Sequence, residues 1–463
     1  MERAELARRL RGGRPAVAAA RDAVVVEARE PARFRAAFAE AVAAGGTVFL
    51  ANPDWGAAER AQFNALRAAP GADERAKPQV ARESKIQIPK SKCEHGWLCI
   101  PTGSSAGTIK LARHDQDTLH AAVRGFAAHF GVARVNTLGV LPLHHVGGLM
   151  GWLRAELTGG TFLDGDWKNI EAGALPTLPS VNDGWFLSLV PTQLQRLLAR
   201  PAAAEWLRGF RAVLVGGGPA WPELAEAGAA ARVPLAFTYG ATETAAAVAA
   251  LRPEEFLAGG RGCGSALPHA RITFDVAAAA ARARHGGIAD ATDDPRTGVA
   301  EITVEAESLF RGYWPEWRPV SESEKDGMGG WRTGDLGFFD SRGSLRVTGR
   351  RDALIITGGE KVEPGEVETV LRATGEFADV AVVGVLDAEW GERVVACYPA
   401  AGGTAGAKDE GRHAPDLARV MAALEKLASF KQPKKILALA EWPRDAAGKI
   451  SRSRLVELVR AAE

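Results

Sequence analysis

The sequence predicts an α/β protein with more than one domain. Strand-like apolar runs alternate with helix-like segments through much of the chain, and this alternation is typical of parallel sheets covered by helices. Between residues 268 and 303 the helical patterns fade and short strand patterns replace them, which indicates a small β-subdomain. At 463 residues the chain is also too long for one compact core.

The individual elements follow from apolar periodicity and from the turn residues that bound each segment. Helices are predicted at 31–44, 118–130, 192–198 and 417–427 and after residue 451. Strands are predicted at 47–51, 135–143, 184–190, 211–215, 235–239, 344–348, 353–357 and 380–385, and the segment 99–110 is predicted as a strand that runs into the glycine- and serine-rich stretch 101–110. Loops are predicted at 71–92, which is polar and basic, and at 400–413, which is rich in glycine and alanine.

The composition argues against several classes of protein. The chain has 57 lysines and arginines against 56 aspartates and glutamates, so nothing favours nucleic acid or an anionic membrane as a partner. The sequence has no run of about 18 apolar residues, so no membrane-spanning segment is predicted. The first residues do not resemble a signal peptide. We therefore expect a soluble cytoplasmic protein. The residues do not decide whether it forms a homo-oligomer. Cys93, His95 and Cys99 lie close together without a second ligand pair at zinc-site spacing, so no zinc site is expected.

The segment 331–364 holds the densest group of turn and charged residues. It contains Asp335 after a glycine turn, the pair Arg350 and Arg351 in a second turn, and a Gly358-Gly359 hairpin signal. A carboxylate accepts hydrogen bonds from sugar hydroxyls, and a guanidinium binds an anion in a fork, so the segment could clamp a nucleotide. The same residues also fit a β-meander with charged turns.

A second segment, 101–110, combines glycines and hydroxyls with a lysine at its end. Ser104, Ser105, Gly107 and Lys110 could offer backbone N–H groups, hydroxyls and a cation to phosphate oxygens. The segment lacks the Gly-Lys-Ser/Thr ending of a Walker A loop. Taken from the residues alone, it could equally be a flexible linker.

A third segment, 237–244, places functional side chains after a strand. Tyr239 and Gly240 come first, and Tyr239 offers an aromatic face to a base. Thr242 offers a hydroxyl to phosphate, and Glu243 offers the hard oxygen ligand that Mg²⁺ prefers. The alternative is a strand followed by a helix whose first turn favours an acid.

Two further glycine turns follow strands, and the first, with its pair of histidines, indicates a cleft wall, although a lone histidine there is more often structural. His144 and His145 stand at a strand end before a Gly-Gly pair. The glycine turn 216–219 follows a strand but lacks the spacing and downstream acid of a dinucleotide fingerprint.

In this order, the motifs WRTGD at 331–335, GRRD at 349–352 and GGEKVEP at 358–364 resemble the adenylate-forming superfamily, which includes acyl- and aryl-CoA synthetases, luciferases and peptide-synthetase adenylation domains. The resemblance implies that Asp335 holds the ribose hydroxyls of ATP and that Arg350 also reaches the nucleotide. It further implies a hinge at Asp352, between an N-terminal domain, 1–351, that binds ATP and the acid and a small mobile α+β domain, 352–463. The C-terminal domain would carry the catalytic lysine, matched by Lys449.

The resemblance also assigns roles to the other segments. The glycine turn, with Gly217, Gly218 and Pro219, would pack against adenine, and the segment 101–110 would grip ATP and pyrophosphate. That segment departs from the family pattern at Ala106, where threonine is usual, and at Ile109, where proline is usual. His145 would stand at the acyl pocket as its gate.

Segments 186–197, 215–222 and 251–259 most resemble the 2-succinylbenzoate–CoA ligases of the cyanobacterial type, which act in menaquinone and phylloquinone synthesis. The resemblance implies Mg-ATP, coenzyme A and an acyl-AMP intermediate. Ser188, Thr192 and Gln193 are neutral donors that could hold the second carboxylate of this acid, with His145 across the cleft. Alternatively, Thr192 caps the helix and Gln193 faces solvent. Three alternatives to this function stay open: another aryl- or acyl-CoA ligase, an adenylation enzyme that loads a carrier protein, and a nucleotide-binding protein without catalytic activity.

Overall fold

The computed structural model describes most of the chain. The described residues are 1–12, 23–68, 96–103, 109–179, 184–218, 220–274, 299–315, 330–357, 360–387, 390–400, 415–425, 427–444 and 450–462. Several predicted features therefore lie outside the described residues: the loops 71–92 and 401–413, Cys93, His95, Ser104, Ser105, Gly107, Pro219, Gly358, Gly359 and Lys449. Among the described residues, no helix is long and apolar enough to cross a bilayer.

The described helices begin mostly at prolines or capping acids. They are α1 (Arg3–Leu10), α2 (Pro31–Ala43), α3 (Ala57–Ala68), α4 (Gln116–His129), α5 (Val146–Thr158), α6 (Trp167–Ala172), α7 (Pro191–Leu198), α8 (Pro201–Leu207), α9 (Pro222–Ala230), α10 (Pro253–Leu257), α11 (Pro364–Ala373), α12 (Leu417–Leu424) and α13 (Arg452–Ala461). Helix α4 shows the local cause well, because Asp115 accepts hydrogen bonds from the backbone N–H groups of Asp117 and Thr118.

The strands fall into four sheets. They are β1 (Ala23–Val26), β2 (Thr47–Leu50), β3 (Leu98–Gly103), β4 (Ile109–His114), β5 (Asn136–Gly139), β6 (Phe162–Asp164), β7 (Trp185–Leu189), β8 (Ala212–Val215), β9 (Leu235–Ala241), β10 (Ala246–Ala250), β11 (Ser265–Ala266), β12 (Ala270–Phe274), β13 (Ala300–Ala306), β14 (Tyr313–Trp314), β15 (Trp331–Phe339), β16 (Leu345–Arg350), β17 (Ile355–Thr357), β18 (Glu360–Val362), β19 (Ala381–Asp387), β20 (Gly391–Pro399) and β21 (Lys435–Leu439).

The first sheet has the order β1-β2-β3-β4-β14. Strands β3 and β4 form an antiparallel hairpin in which Thr102 pairs with Lys110. Strand β3 confirms the predicted strand that runs into the segment 101–110, and the return strand β4 was not predicted. Strand β14 arrives from much later in the chain and pairs with β4, Tyr313 opposite Ala112.

The central sheet has the order β11-β10-β9-β8-β7-β5-β6, and its strands from β5 to β9 are parallel. Leu187, Val213 and Leu235 join the core on one face, whereas Phe186 and Leu214 join the core on the other. A parallel sheet covered on both faces confirms the predicted architecture. Its strand order reverses between β5 and β7, so the carboxyl ends of these strands border the crevice where open α/β sheets bind ligands.

The later strands form two further sheets. Strands β12, β13, β15 and β16 make an antiparallel sheet, which confirms the predicted β-subdomain. The last sheet, which contains β17 to β21, packs against α11 and α12 on one face and against α13 on the other. This arrangement is the expected α+β C-terminal part.

Most predicted elements are confirmed within a few residues, and the differences lie at strand ends. The predicted strand 135–143 is shorter, since β5 ends at Gly139. The glycine turn predicted before Asp335 is wrong, because Gly334 and Asp335 lie inside β15. The turn predicted at 349–352 is shifted, because Gly349 and Arg350 end β16 and the 3₁₀ turn follows at Arg351–Ala353.

Candidate active site

Three of the predicted nucleotide-binding residues, Tyr239, Asp335 and Arg350, are joined by hydrogen bonds. Asp335 and Arg350 are cross-strand partners on β15 and β16, and the Arg350 Nη1 atom donates to Asp335 Oδ1 at 3.2 Å. The Tyr239 hydroxyl, at the end of β9, donates to Asp335 Oδ2 at 2.7 Å. Burial, and after it the Asp335 carboxylate, raise the pKa of the Tyr239 phenol well above its ordinary value. The phenol therefore stays protonated and serves as a donor.

Gly334 explains how a glycine can precede Asp335 without making a turn. Its φ is +76°, a conformation that L side chains rarely adopt. A Cβ at this position would lie 3.1 Å from Arg350 Nη2. Glycine thus lets the strand bend locally and lets the Arg350 guanidinium approach the backbone beside Asp335.

The segment 237–244 ends in a 3₁₀ turn, Thr242–Thr244, and not in an α-helix. The chain then reverses into β10, so the alternative of a strand leading into a helix is wrong. Gly240 belongs to this reversal, because a Cβ there would lie 2.0 Å from the Ala246 carbonyl oxygen. The structure therefore presents Thr242 and Glu243 on a tight connection between two strands.

Glu243 is a buried carboxylate, with 7% of its surface exposed. Its Oε1 atom accepts a hydrogen bond from the Tyr313 hydroxyl at 2.6 Å. Within the described part of the chain, no lysine, arginine or histidine forms an ion pair with it. Its hard carboxylate oxygens are of the kind that Mg²⁺ prefers. Among the described residues, no three His, Cys, Asp or Glu side chains form a cluster that could hold a metal ion.

The backbone of the 3₁₀ turn is held from two sides. His114, at the end of β4, places Nε2 2.7 Å from the Thr242 carbonyl oxygen. Because a carbonyl oxygen only accepts, Nε2 carries the proton of the neutral ring. Burial lowers the pKa of His114 to about 4. From the other side, the Phe310 N–H donates to the Glu243 carbonyl oxygen at 2.8 Å.

Lys110 lies near the same turn, although Ser104, Ser105 and Gly107 are outside the described residues. The Lys110 Nζ atom is 4.9 Å from the centroid of the Tyr313 ring, a cation–π distance. The lysine of the predicted phosphate loop and the predicted metal ligand Glu243 therefore share Tyr313 as a neighbour.

The glycine turn stands at the carboxyl end of β8. A Cβ at Gly216 would lie 2.4 Å from Thr238 Oγ1, so close packing requires glycine there. Gly217 has a φ of +78°, and it lies beside Val190, the residue at which α7 begins. Gly217 and Gly218 are exposed, which fits a surface available to a flat ring, whereas Pro219 lies outside the described residues.

The predicted acid-binding residues border the crevice between β5 and β7. Ser188 is half-buried on β7, and Thr192 and Gln193 are half-buried in the first turn of α7. The Gln193 Oε1 atom accepts from the Val190 N–H at 3.0 Å. Gln193, and not Thr192, therefore caps the helix, so the alternative with a Thr192 cap is wrong. Its amide Nε2 remains a group that can donate elsewhere.

His145 lies across this crevice, at the position where α5 begins. It is half-buried, and its ring centroid is 4.4 Å from that of His144. Burial, followed by the neighbouring His145, lowers the pKa of His144 to about 3. Both rings follow the carboxyl end of β5, as the sequence predicts.

Lys449 itself lies outside the described residues, but both ends of its loop are described. Arg444 forms a β-bridge with Ile450, and the Ser451 N–H donates to the Pro443 carbonyl oxygen at 3.0 Å. Trp442 anchors one side, because its Nε1 donates to Asp379 at 2.8 Å. The described residues on either side of 445–449 are therefore held together and anchored to the rest of the C-terminal part.

Asp352 belongs to a short 3₁₀ turn that joins β16 to β17. Its neighbour Arg351 donates to the carboxylate of Glu301 at 2.8 Å, and Glu301 is almost fully buried on β13. Arg332 also contacts this carboxylate. The connection between the two parts of the chain is thus tied to the β-subdomain immediately before the predicted hinge.

Sequence reasoning did not find His114, Glu301 or Tyr313. His114 and Tyr313 reach the site through β4 and β14, which pair only in the fold. A usable signal was the Gly312-Tyr313-Trp314 stretch, whose two aromatic residues follow a glycine without any apolar periodicity.

A buried carboxylate that shares Tyr313 with Lys110, together with an Asp–Arg–Tyr cluster, is chemically suited to an α/β enzyme that binds a nucleotide. Sequence models of known families agree: the AMP-binding enzyme model matches residues 4–314, and the AMP-binding enzyme C-terminal domain model matches 366–449. The chain belongs to the AMP-binding enzyme family.

Two curated relatives are informative. Indoleacetate–CoA ligase of Aromatoleum aromaticum is 31% identical over 378 residues, which cover 78% of this chain and 67% of that protein. 2-Succinylbenzoate–CoA ligase of Geobacillus kaustophilus is 33% identical over 371 residues, which cover 80% of this chain and 66% of that protein. The chain thus spans about two thirds of the length of the curated relatives it matches.

Solved structures share the fold. The o-succinylbenzoate CoA synthetase from Bacillus subtilis in complex with the acyl-adenylate intermediate OSB-AMP has a TM-score of 0.72 at 23% identity, covering 98% of this chain and 91% of that chain. The same protein in complex with ATP and magnesium ion has a TM-score of 0.69 at 24% identity, covering 97% and 92%. The fold is therefore a large N-terminal part followed by a small C-terminal part, as predicted.

Proposed function

We propose that this chain is an AMP-forming acid–CoA ligase that acts through an acyl-AMP intermediate, and that its acid is 2-succinylbenzoate. The observation that carries the activity is the buried Glu243, four residues after Tyr239, together with the Tyr239–Asp335–Arg350 cluster. The relatives named as CoA ligases support the second half of the reaction. The named substrate of one relative supports the acid, and with it a place in menaquinone or phylloquinone synthesis.

ATP is proposed to bind along the carboxyl edge of the central sheet. Asp335 would accept from the ribose hydroxyls, with its orientation fixed by Arg350 and Tyr239, while the turn at Gly217, Gly218 and Pro219 would pack against adenine. Ser104, Ser105, Gly107, Lys110 and Thr242 would contact the phosphates. Mg²⁺, when bound by Glu243 and the phosphates, supplies positive charge that offsets the charge of the phosphoryl oxygens.

Lys449 is proposed to stabilise the charge that develops between the acid carboxylate and the α-phosphate. Coenzyme A would then displace AMP in a second half-reaction, after the domain 352–463 has rotated about Asp352 relative to 1–351. A free carboxylate has a poor leaving group. Adenylation attaches AMP, which is a better leaving group, so the CoA thiol can attack the acyl carbon.

The acid is proposed to lie between β5 and β7. Only the succinyl carboxylate would react. The benzoate carboxylate would stay charged and needs hydrogen-bond donors, because a buried unpaired charge costs several kcal/mol. Ser188, Thr192 and the Gln193 amide supply neutral donors on one side, with His145 on the other. No arginine stands between residues 188 and 193, which favours recognition through neutral groups and bridging water.

A second candidate is a ligase for a monocarboxylic aryl acid. The relative named indoleacetate–CoA ligase, at 31% identity, favours it. The same neutral donors would then face a ring without a second carboxylate. A carrier-loading adenylation enzyme differs from both, because it would release no CoA thioester.

ATP–pyrophosphate exchange with 2-succinylbenzoate, its analogue without the ring carboxylate, and indoleacetate tests the adenylation step, and CoA thioester formation tests the second step. We expect 2-succinylbenzoate to exceed the analogue in kcat/KM by several orders of magnitude, because the site's donors would be left unpaired by the analogue. Equal rates would refute the assigned acid, and absence of exchange with every acid would refute the activity.

Gln193→Glu sharpens this test. A carboxylate at residue 193 can still accept from the Val190 N–H, so the helix cap is kept, but the amide donor becomes an anion. We expect the rate with 2-succinylbenzoate to fall at least tenfold and the rate with the analogue to stay within a few-fold. An equal loss with both acids would mean that Gln193 has only a capping role.

A further inference from the structure

Tyr313 is the described side chain that links the two charged groups of the phosphate and metal region. Its hydroxyl donates to Glu243 Oε1 at 2.6 Å, and its ring lies 4.9 Å from Lys110 Nζ. Neither contact belongs to a motif that assigns Tyr313 a role.

The backbone around Tyr313 is fixed at both ends. On one side, β14 pairs with β4, which places Tyr313 opposite Ala112, two residues after Lys110. On the other side, the Phe310 N–H donates to the Glu243 carbonyl oxygen, and Ser308 Oγ donates to the Thr244 carbonyl oxygen at 2.9 Å. The segment 308–314 therefore joins the strand after the phosphate loop to the turn that carries Glu243.

The chemistry of the hydrogen bond matters as much as its position. A lysine or arginine bonded to Glu243 would neutralise the carboxylate and compete with a metal ion. A phenol fixes one oxygen without adding charge, so the carboxylate keeps its negative charge and its second oxygen keeps a defined direction. Ligands held by a second layer of hydrogen bonds bind metal more tightly, often by 10- to 100-fold.

We infer that Tyr313 is a positioning residue that holds the Glu243 carboxylate in the orientation in which it binds a divalent cation together with the nucleotide. This inference rests on the proposed function only in taking the ligand to be a metal–nucleotide complex. It adds a residue to the site but no new chemical step.

The test uses the full chain and changes two of its three tyrosines, one at a time. Tyr313→Phe removes the hydroxyl and keeps the ring that faces Lys110. Tyr398→Phe is the matched control, since it makes the same atomic change on β20, where the ring packs on Phe377 at 5.3 Å. Mn²⁺ affinity in the presence of α,β-methylene-ATP is measured by electron paramagnetic resonance, which needs neither acid nor turnover.

We expect Tyr313→Phe to weaken Mn²⁺ binding about tenfold or more, because a hydrogen bond to a charged acceptor is lost, and Tyr398→Phe to leave it unchanged. Glu243→Gln should weaken binding at least as much. The double variant should bind no more weakly than Glu243→Gln, because Tyr313 acts through Glu243.

Equal Mn²⁺ affinity of Tyr313→Phe and Tyr398→Phe would overturn the inference, and so would additive losses in the double variant. Thermal unfolding without nucleotide separates positioning from folding. We expect Tyr313→Phe to melt within a few degrees of the wild type, and a large drop in its melting temperature would make Tyr313 a structural residue. If Mn²⁺ and nucleotide bind as expected but no acid is activated, the proposed function fails while the role of Tyr313 stands.

Discussion

Replacing Asp335 by asparagine should weaken ATP binding without weakening the fold. The variant keeps the shape of the side chain and one oxygen that can accept from Tyr239. The Arg350 side chain is 48% exposed, so the ion pair that is lost contributes at most about 1 kcal/mol to the free energy of unfolding. A hydrogen bond to a charged acceptor contributes about 1.5–3 kcal/mol, so losing the carboxylate should raise the Kd for ATP roughly 10- to 150-fold.

Titration calorimetry with ATP, 2′-deoxy-ATP and 3′-deoxy-ATP measures this effect. The wild type should bind ATP more tightly than the deoxy analogues. Asp335→Asn should lose most of that discrimination, because the variant and the analogues each remove one end of the same hydrogen bond. Glu305→Gln is a matched control, because Glu305 pairs with Arg271 across neighbouring strands of the same sheet. If the wild type does not distinguish the analogues, or if the variant still does, Asp335 does not hold the ribose.

Three other changes test the remaining assignments. Lys449→Ala should slow adenylation by about 10²–10³-fold and thioester formation from supplied acyl-AMP far less; equal losses in both half-reactions would contradict its role. Asp352→Pro fixes φ and removes an N–H, so adenylation should continue while thioester formation fails, and normal rates in both would exclude a hinge there. His114 has a pKa of about 4 when folded and about 6.5 when unfolded, so its stabilising effect is complete above pH 6.5 and is lost as the pH falls to about 4. His114→Asn should therefore lower the proton uptake on unfolding near pH 5 by about one, and an unchanged uptake would mean that His114 titrates normally.

The sequence was sufficient for strands β7, β8 and β9 of the central sheet because these strands are buried on both faces, whereas β6, β10 and β11 were not predicted. Residues 185–189 and 212–215 are nearly continuous apolar runs, and such runs are read correctly without knowledge of their partners. In the C-terminal part, strand β19 and helices α12 and α13 were also predicted, whereas helix α11 and strands β18, β20 and β21 were not.

The candidate site was harder to predict because it depends on register. Glycine before Asp335 suggests a turn, yet Gly334 lies within a strand and adopts a left-handed conformation there. Antiparallel pairing then places Arg350 opposite Asp335. The residues of this cluster were identified through family resemblance, whereas their contact follows only from the strand register.

Long-range pairing hid the supporting residues altogether. Tyr313 and His114 reach the turn of Glu243 because β14 pairs with β4, and no local pattern encodes that pairing. The hydrogen bond between Gln193 and the Val190 N–H was missed for a different reason. A long side chain in the first turn of a helix can fold back onto the backbone N–H at the helix start, and its polarity alone does not reveal this.

The pairing of β14 with β4 also orders events during synthesis on the ribosome. The central sheet can close once β11 has emerged, whereas β4 remains an unpaired edge until Trp314 can pair with Leu111, about 200 residues earlier in the chain. At 5–20 residues per second this edge stays open for roughly 10–40 s. An unpaired strand edge is a site for aggregation, so the nascent chain is most vulnerable in the interval before residues 313–314 are made.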